Sequence, residues 1–218
     1  IIGFEYCKAD MMASNVEWCK SITAWKAQFN EWILNADEKG ILLSSIFFDY
    51  SLEYGEPSLV DALTESIYET LEGSSVFFKY LAKDALKSPP PLGFFKQFLV
   101  EQNGEHKDLF NIKSKGLMPL IDAARVLSLS KQVKNVNNTA ERFEKLAQLD
   151  PNNKELFNSC AYAFKALLKF KTRQGLLHDN TGKFIELSSL TKEEQLKLKR
   201  CFKPIKEIQD SLKLRFNL

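Results

Sequence analysis

The stretch KSKGLMPLIDAARVLSL, which runs from Lys113 to Leu129, combines the signals that decide the fold class of this chain. A proline suits the first turn of an α-helix because its missing N–H would have no partner there, so Pro119 predicts a helix over about 117–131. Unbonded N–H groups at a helix start add partial positive charge. Together with Lys113 and Lys115, these N–H groups favour a binding site for a phosphate or a carboxylate. The alternative is that both lysines are simply solvated.

Helical signals continue on both sides of this stretch. A first helix is predicted from about 15 to 35, because its apolar side chains recur at steps of three and four: Trp18, Ile22, Trp25, Phe29 and Trp32. Trp25, at the centre of this stripe, is predicted to be fully packed, and Trp18 less so. Later helices start at side chains that cap backbone N–H groups, namely Asp37, Asn138, Asp150 and Thr191, the last with Glu194 in a capping box.

Three features interrupt the helices. Pro89-Pro-Pro91 lacks three backbone donors and predicts an extended corner. Apolar periodicity fades between Asn103 and Gly116, which predicts a loop with a short extended piece at 109–112. Pro204 predicts a kink near Arg200. Since no alternating strand pattern competes, the sequence predicts an all-α bundle.

Composition narrows the function classes. A chain of 218 residues with 44% hydrophobic residues can bury one sizeable core. Its 30 Lys and Arg against 28 Asp and Glu leave a net charge of +2, without the basic stripe of a general nucleic-acid binder. Four cysteines without a C-x-x-C pair, with two histidines, argue against a zinc site and for reduced thiols. The apolar runs are too short to span a bilayer, so we expect a cytoplasmic protein with no membrane and no nucleic-acid partner.

Known catalytic patterns are missing from the sequence. Catalysis by a pair of metal ions needs closely spaced carboxylates, and the sequence contains no Asp-x-Asp or Asp-x-Glu. Gly73-Ser74-Ser75 falls at the start of an amphipathic helix and is better explained as a helix stop and cap. Glycine-rich phosphate loops are absent. We therefore expect no catalytic residue, no metal site and no cofactor in this chain.

A few charged residues remain as candidates for binding. Asp49 follows Ile46-Phe-Phe48, and such a charge either points to solvent or forms an ion pair. Asp122 and Arg125 are three apart on one predicted helix and can pair with each other. The arginine fork also suits phosphate. The basic residues from Lys165 to Arg173 are interpreted as the solvated face of a helix.

Six segments, in the same order, give the chain its resemblance to a known family: Asp10 to Asn15 with Trp18 and Trp25, Ser45 to Tyr50, Pro89 to Phe95, Asn111 to Lys113, Gly116 to Arg125, and Asn138 to Arg142. The chain resembles the helical C-terminal domain, described as substrate-binding, of nucleotidyltransferases related to protein-PII uridylyltransferase. Such domains are often attached to CBS or cyclic-nucleotide-binding modules.

The resemblance implies an up-and-down helical bundle similar to the C-terminal domain of kanamycin nucleotidyltransferase-like proteins. Residues 1–14 would be the tail of a preceding nucleotidyltransferase domain, and residues 15–218 the substrate-binding domain. Mg²⁺ and a nucleoside triphosphate would bind to the parent protein's catalytic domain, and a nucleoside monophosphate would be transferred to an acceptor. The partners implied are that domain and an acceptor protein or nucleotide. The substrate-binding residues implied are Asp49, Lys113, Lys115, Asp122, Arg125 and Arg142.

A second hypothesis comes from another functional class. The chain could instead be a regulatory protein-interaction module that relays the state of an attached CBS or cyclic-nucleotide sensor in signal transduction. A substrate role predicts that Asp49, Lys113 and Arg125 converge in space. A docking role predicts an exposed apolar patch larger than a few hundred Å².

Overall fold

Helices make up most of the structure, a computed structural model that describes residues 11–88 and 97–218. The predicted all-α, bundle-like class is confirmed. The proline corner at 89–91 and Cys7 lie outside the described residues. The α-helices are α1 (Ile22–Leu34), α2 (Glu38–Phe47), α3 (Pro57–Leu71), α4 (Ser75–Ala85), α5 (Met118–Ser130), α6 (Thr139–Leu149), α7 (Lys154–His178), α8 (Lys192–Arg200) and α9 (Phe202–Phe216).

Local capping explains where several helices begin. Asp37 Oδ1 accepts a hydrogen bond from Gly40 N at 2.6 Å at the start of α2. Asn138 Oδ1 accepts from Ala140 N at 2.9 Å at the start of α6. Thr191 and Glu194 form the predicted capping box of α8. These three predictions are confirmed.

The helix start predicted at Asp150-Pro151 is confirmed in position, but the Asp150 side chain makes no capping hydrogen bond. Pro151–Asn153 forms a short 3₁₀ turn that leads into α7 at Lys154. The Asp150 carboxylate accepts hydrogen bonds from Asn153 Nδ2 and, at 2.7 Å, from Arg215 Nη2 on α9. The carboxylate therefore holds a long-range ion pair in addition to its local contact. The kink predicted from Pro204 is confirmed, since α8 ends at Arg200 and α9 begins at Phe202.

Helix α5 lies at the centre of the bundle. It packs against α4, α6 and α9, and almost its whole circumference is buried. A helix that is apolar all round must be enclosed by neighbours, and this explains why its sequence decides the fold class. Arg125 and Ser128 are the polar exceptions among its buried residues.

The start of this central helix differs from the prediction. Helical backbone begins at Lys113 as a π-helical turn, Lys113–Leu117, in which the N–H of Met118 donates to the Lys113 carbonyl. Asn111 Oδ1 accepts from Ser114 N at 3.0 Å and caps this turn. A proline inside a helix lacks a donor and crowds the preceding turn, so the wider π turn accommodates Pro119.

A two-stranded ribbon joins the two halves of the chain. β1 (Phe110–Asn111) pairs antiparallel with β2 (Phe184–Ile185), with Phe110 opposite Ile185. The predicted extended piece at 109–112 is confirmed, but its partner was not predicted. Gly182 precedes β2 with φ +61°, and a Cβ there would lie 1.9 Å from the Lys171 carbonyl oxygen, so only glycine fits.

The apolar stripe of α1 is buried at its C-terminal end. Phe29 and Trp32 are 2% and 5% exposed, whereas Trp18 and Trp25 are only partly buried. The full burial predicted for Trp25 is therefore wrong. Trp25 stacks on Trp18 and tilts against Phe47, and this aromatic group covers the edge of the core.

Replacing Phe29 by alanine should destabilise the chain more than replacing Trp25. Truncating a fully packed aromatic side chain to alanine typically lowers the free energy of unfolding by about 3–5 kcal/mol. The loss is smaller for a partly exposed side chain, because less apolar area is removed from the core. Urea denaturation of F29A and W25A measures the two losses. Equal losses would mean that α1 is enclosed by further structure over its whole length.

Candidate functional site

Four charged side chains from three parts of the bundle form a network in which the arginines are buried and the carboxylates are partly exposed. Arg125 Nη2 donates to Asp49 Oδ2 at 2.5 Å, and Arg125 Nη1 donates to Asp122 Oδ1 at 3.2 Å. Arg142 Nη1 forms an ion pair with Asp49 Oδ1 at 2.7 Å. We call Asp49, Asp122, Arg125 and Arg142 the arginine network. It ties the end of α2 to α5 and α6.

The two arginines of the network are buried because apolar neighbours place them inside the bundle, whereas the side chains of Asp49 and Asp122 are 33% and 20% exposed. Arg125 is 9% exposed and Arg142 5% exposed. Asp49 directly follows the buried Phe48 at the end of α2, which brings its carboxylate towards α5. Of the two explanations open for Asp49, the ion pair is therefore correct. The predicted Asp122–Arg125 pair is also present.

A pocket of about 320 Å³ opens beside the network. It lies between the α2–α3 loop, α3, α5 and the α5–α6 loop, and Arg125 and Arg142 line it. Its apolar wall consists of Phe48, Leu52, Pro57, Val60, Ile67, Leu129, Val133 and Val136. This size is at the lower end for small-molecule sites, and an apolar wall with a few polar groups is typical of them.

Most hydroxyl groups around the pocket are already bonded to the protein. Tyr50 OH and Thr64 Oγ1 share a hydrogen bond at 2.6 Å, and Tyr68 OH donates to the Val133 carbonyl at 3.0 Å. Burial raises the pKa of Tyr68 to about 12, with a smaller contribution from Tyr50, so its hydroxyl keeps its proton at neutral pH. These bonds hold the wall of the pocket in one arrangement.

Two buried polar atoms of the pocket have no such partner. Arg125 Nε and Ser128 Oγ make no hydrogen bond to any described residue, and both residues line the pocket. A buried donor left unpaired costs about 1–3 kcal/mol, so such atoms are expected to meet a ligand or ordered water. Asp49 Oδ1, whose 2.7 Å ion pair lacks hydrogen-bond alignment, is the third buried unpaired atom among the described side chains.

The arginine forks themselves are largely filled. Both terminal nitrogens of Arg125 are held by carboxylates, and Arg142 Nε donates to the Val136 carbonyl at 2.8 Å. Each terminal nitrogen carries a second N–H beyond the one that meets a carboxylate, and Nε makes no hydrogen bond to a described residue. Arg125 therefore keeps unused donors although both of its carboxylate partners are in place.

The structure places the two predicted lysines elsewhere. Lys115 Nζ donates to the Leu99 carbonyl at 2.7 Å and lies 3.4 Å from Glu101 Oε1, while Lys113 is exposed. Ten residues of continuous helix separate Lys115 from Arg125, which corresponds to about 15 Å along the axis. Lys113 therefore does not converge with Asp49 and Arg125, although Arg142, Asp122 and Asp49 do.

Sequence reasoning missed several residues of the pocket. Ser128 is three positions after Arg125, so both lie on one face of α5, and that spacing could have identified it. Lys134 lies in the α5–α6 loop, and its Nζ is 5.2 Å from the centre of the Tyr68 ring. No sequence signal connects Lys134 or Thr64 to Arg125, because tertiary packing alone brings them together.

The acidic side chains of the network do not form a metal site. In residues 11–88 and 97–218, no group of three or more His, Cys, Asp or Glu side chains is arranged to hold a metal ion. Asp49 and Asp122 both pair with Arg125, so the network does not fit Mg²⁺. Within the same two ranges, no helix has the length and apolar character needed to cross a bilayer.

Asp122 has an unusual protonation equilibrium. Burial raises its pKa from 3.8 to about 6, opposed by Arg125 and assisted by the nearby Asp84 and Asp49 carboxylates. The folded state therefore binds this proton more tightly than the unfolded state does. Above pH 6 the ionised carboxylate lowers stability, and this loss is relieved as the pH falls towards 4.

The Asp122→Asn variant should reveal this titration. The free energy of unfolding of the wild type, relative to D122N, should increase on the order of 2–3 kcal/mol as the pH falls from 7 to 4. Urea denaturation across this pH range measures the difference. Parallel pH profiles for the two proteins would show that Asp122 keeps an ordinary pKa.

Comparison with family models identifies the chain. A model described as "Putative nucleotidyltransferase substrate binding domain" matches residues 75–216, more than half of the chain. A second model, described as a nucleotidyltransferase, matches residues 1–39. Searches of curated proteins and of solved structures found no match. Asp122, Arg125 and Arg142 lie within the first matched range, and Asp49 lies between the two ranges. The chain belongs to the nucleotidyltransferase substrate-binding domain family.

Proposed function

We propose that this chain is the non-catalytic domain that binds substrate beside the active site of a nucleotidyltransferase. The reaction served is the transfer of a nucleoside monophosphate from a nucleoside triphosphate, as in the protein-PII uridylyltransferase-like group. The pocket beside the arginine network binds one polar group of the substrate. The observation that carries this proposal is the presence of Arg125 Nε and Ser128 Oγ, both buried and unpaired, in residues that line the pocket.

The charges around the pocket favour a ligand group with limited negative charge. Arg125, Arg142 and Lys134 line the pocket together with one carboxylate, Asp61. Asp49 offsets much of the positive charge of the two arginines behind the wall. A whole triphosphate would need more free cations than this, whereas a single phosphate or carboxylate group would meet the remaining donors.

The residues of this chain position substrate and do not carry out the chemistry. Ser128 Oγ and Arg125 Nε are enclosed by the protein in residues that line the pocket, so a small rotation of these side chains would bring each donor to a ligand oxygen. The apolar wall excludes water from these contacts. Mg²⁺ and the triphosphate belong to a catalytic domain, and the nucleotidyltransferase match at residues 1–39 supports such a domain as the partner.

The family match favours this substrate role over the regulatory interaction module considered as the second hypothesis. Specificity for uridylyl transfer, a role in signal transduction and a linked sensor module are part of the proposal by resemblance. The acceptor is a protein or a small molecule that presents a phosphate or carboxylate to the pocket.

Removing the Ser128 hydroxyl should weaken ligand binding. Titration calorimetry of the chain with uridine triphosphate, uridine monophosphate, inorganic phosphate and citrate should find at least one ligand. Its affinity should fall about tenfold in Ser128→Ala, because a hydrogen bond to a charged group contributes about 1.5–3 kcal/mol.

Ser130→Ala is the matched control on the same helix. Ser130 Oγ donates to the Leu127 carbonyl and Ser130 does not line this pocket, so the control should bind as the wild type does. The proposal fails if none of the four compounds binds, or if S128A leaves every measured affinity unchanged. Circular dichroism of both variants excludes unfolding as the cause of a loss.

A further inference from the structure

A second concave site lies between α7 and α8, and it shares no lining residue with the pocket beside the arginine network. Its volume is about 430 Å³. The floor consists of Ala166 and Phe170, one turn apart on α7, and of Cys201 at the end of α8. Cys201 is 3% exposed, and burial raises the pKa of its thiol to about 11, so the floor is uncharged. We call this site the basic groove.

Cations surround this apolar floor. Lys169 and Arg173 line the groove from α7, and Lys197 and Arg200 line it from α8. The one acidic lining residue in the described chain is Glu194. Four basic side chains less one carboxylate give the lining a net charge of +3, which exceeds the +2 of the entire chain. Positive charge is therefore concentrated at the groove.

Internal ion pairs use part of this charge but not all of it. Glu194 pairs with Arg173 and accepts from Thr191, and these contacts lower the pKa of Glu194 to about 2. Lys197 pairs with Glu193 at 2.7 Å. Lys169 and Arg200 are exposed and have no ion pair with any residue that the structure describes. These two cations are available to a partner.

An exposed aromatic residue completes the groove. Tyr162 lies one turn before Ala166 on α7 and is 72% exposed. A large aromatic side chain next to an apolar floor supplies contact area with little loss of conformational entropy. Lys165, which lies between Tyr162 and Ala166 on α7 but does not line the groove, pairs instead with Glu144 at 2.7 Å. Of the basic residues from Lys165 to Arg173 that were predicted to form a solvated face, Lys165 pairs with Glu144, whereas Lys169 and Arg173 line the groove.

We propose that the basic groove binds a short acidic segment of a partner protein, with one large apolar side chain between carboxylates. The apolar side chain would occupy the floor formed by Phe170 and Cys201, and flanking carboxylates would meet Lys169 and Arg200. Rim charges of this kind steer association and select the partner by sign. This proposal does not depend on the substrate pocket.

Dimensions favour a peptide over a polynucleotide. The lining residues span about 11 Å along α8, from Glu194 to Cys201, and about 17 Å along α7, from Tyr162 to Arg173, which is the length of about three to five extended residues. Single-stranded nucleic acid is bound along basic grooves by several stacking aromatics, and the described lining offers one exposed aromatic, Tyr162.

Selection from a library of random displayed peptides tests the groove directly, since it requires no identified partner. Panning against the whole chain should enrich sequences with two or more Asp or Glu residues around a Leu, Ile, Phe or Trp. Fluorescence anisotropy of an enriched peptide should show affinity that falls as salt increases. The affinity for this peptide should fall about tenfold or more in the double variant Lys169→Glu, Arg200→Glu.

Lys145→Glu, Lys206→Glu makes the same change of charge on exposed residues outside the groove, and it should retain binding within about twofold. Tyr162→Ala should lower the affinity for the peptide without changing how that affinity depends on salt concentration. The proposal is overturned if no peptide is enriched, if the enriched peptides are not acidic, or if they bind the groove variant unchanged. It is also overturned if a labelled oligouridine binds more tightly than the peptides and is lost with K169E/R200E.

Discussion

The ion pair between Asp49 and Arg125 is the interaction on which the arrangement of this domain depends. It connects the end of α2 to the central helix across 76 positions of sequence, and Arg142 extends the connection to α6. Buried charges are costly unless each has a partner, so the two arginines are accommodated only when α2, α5 and α6 bring Asp49 and Asp122 beside them. Apolar packing supplies most of the stability, and the network adds this requirement to it.

The same constraint shapes the candidate substrate pocket. Because Arg125 is held at both ends of its fork, its unpaired Nε–H has a fixed direction, and Ser128, one turn away, adds a second unpaired group. Hydrogen bonds of Tyr50, Thr64 and Tyr68 fix the facing wall. Such a site is pre-organised and close to electrical balance. The basic groove on α7 and α8 is different, since its charge is unbalanced and exposed. The two sites therefore suit ligands of different kinds: a small polar group in the first and an acidic segment in the second.

Much of the fold could be predicted from local sequence, because helix caps and apolar periodicity act over a few residues. Asp37, Asn138 and Thr191 cap as predicted, and the break at Pro204 is present. Predictions failed where a distant partner competed. Asp150 stands at the predicted helix start, but its carboxylate pairs with Arg215 and makes no capping bond, and Trp25 lies at the margin of the core although it is central in the stripe. Within the site, the i, i+3 pair of Asp122 and Arg125 follows from spacing. The contacts of Asp49 with two arginines depend on tertiary packing, as does the separation of Lys113 and Lys115 from them.

A double-mutant cycle on Asp49 and Arg125 measures the central interaction most directly. Denaturation of Asp49→Asn, Arg125→Gln and the double variant should give a coupling energy of about 2 kcal/mol or more, because both partners are largely withdrawn from water. The same cycle on the exposed pair of Lys165 and Glu144 is the control, and it should give less than about 1 kcal/mol. A coupling between Asp49 and Arg125 no larger than that of the control would contradict the view that this ion pair determines how the helices meet.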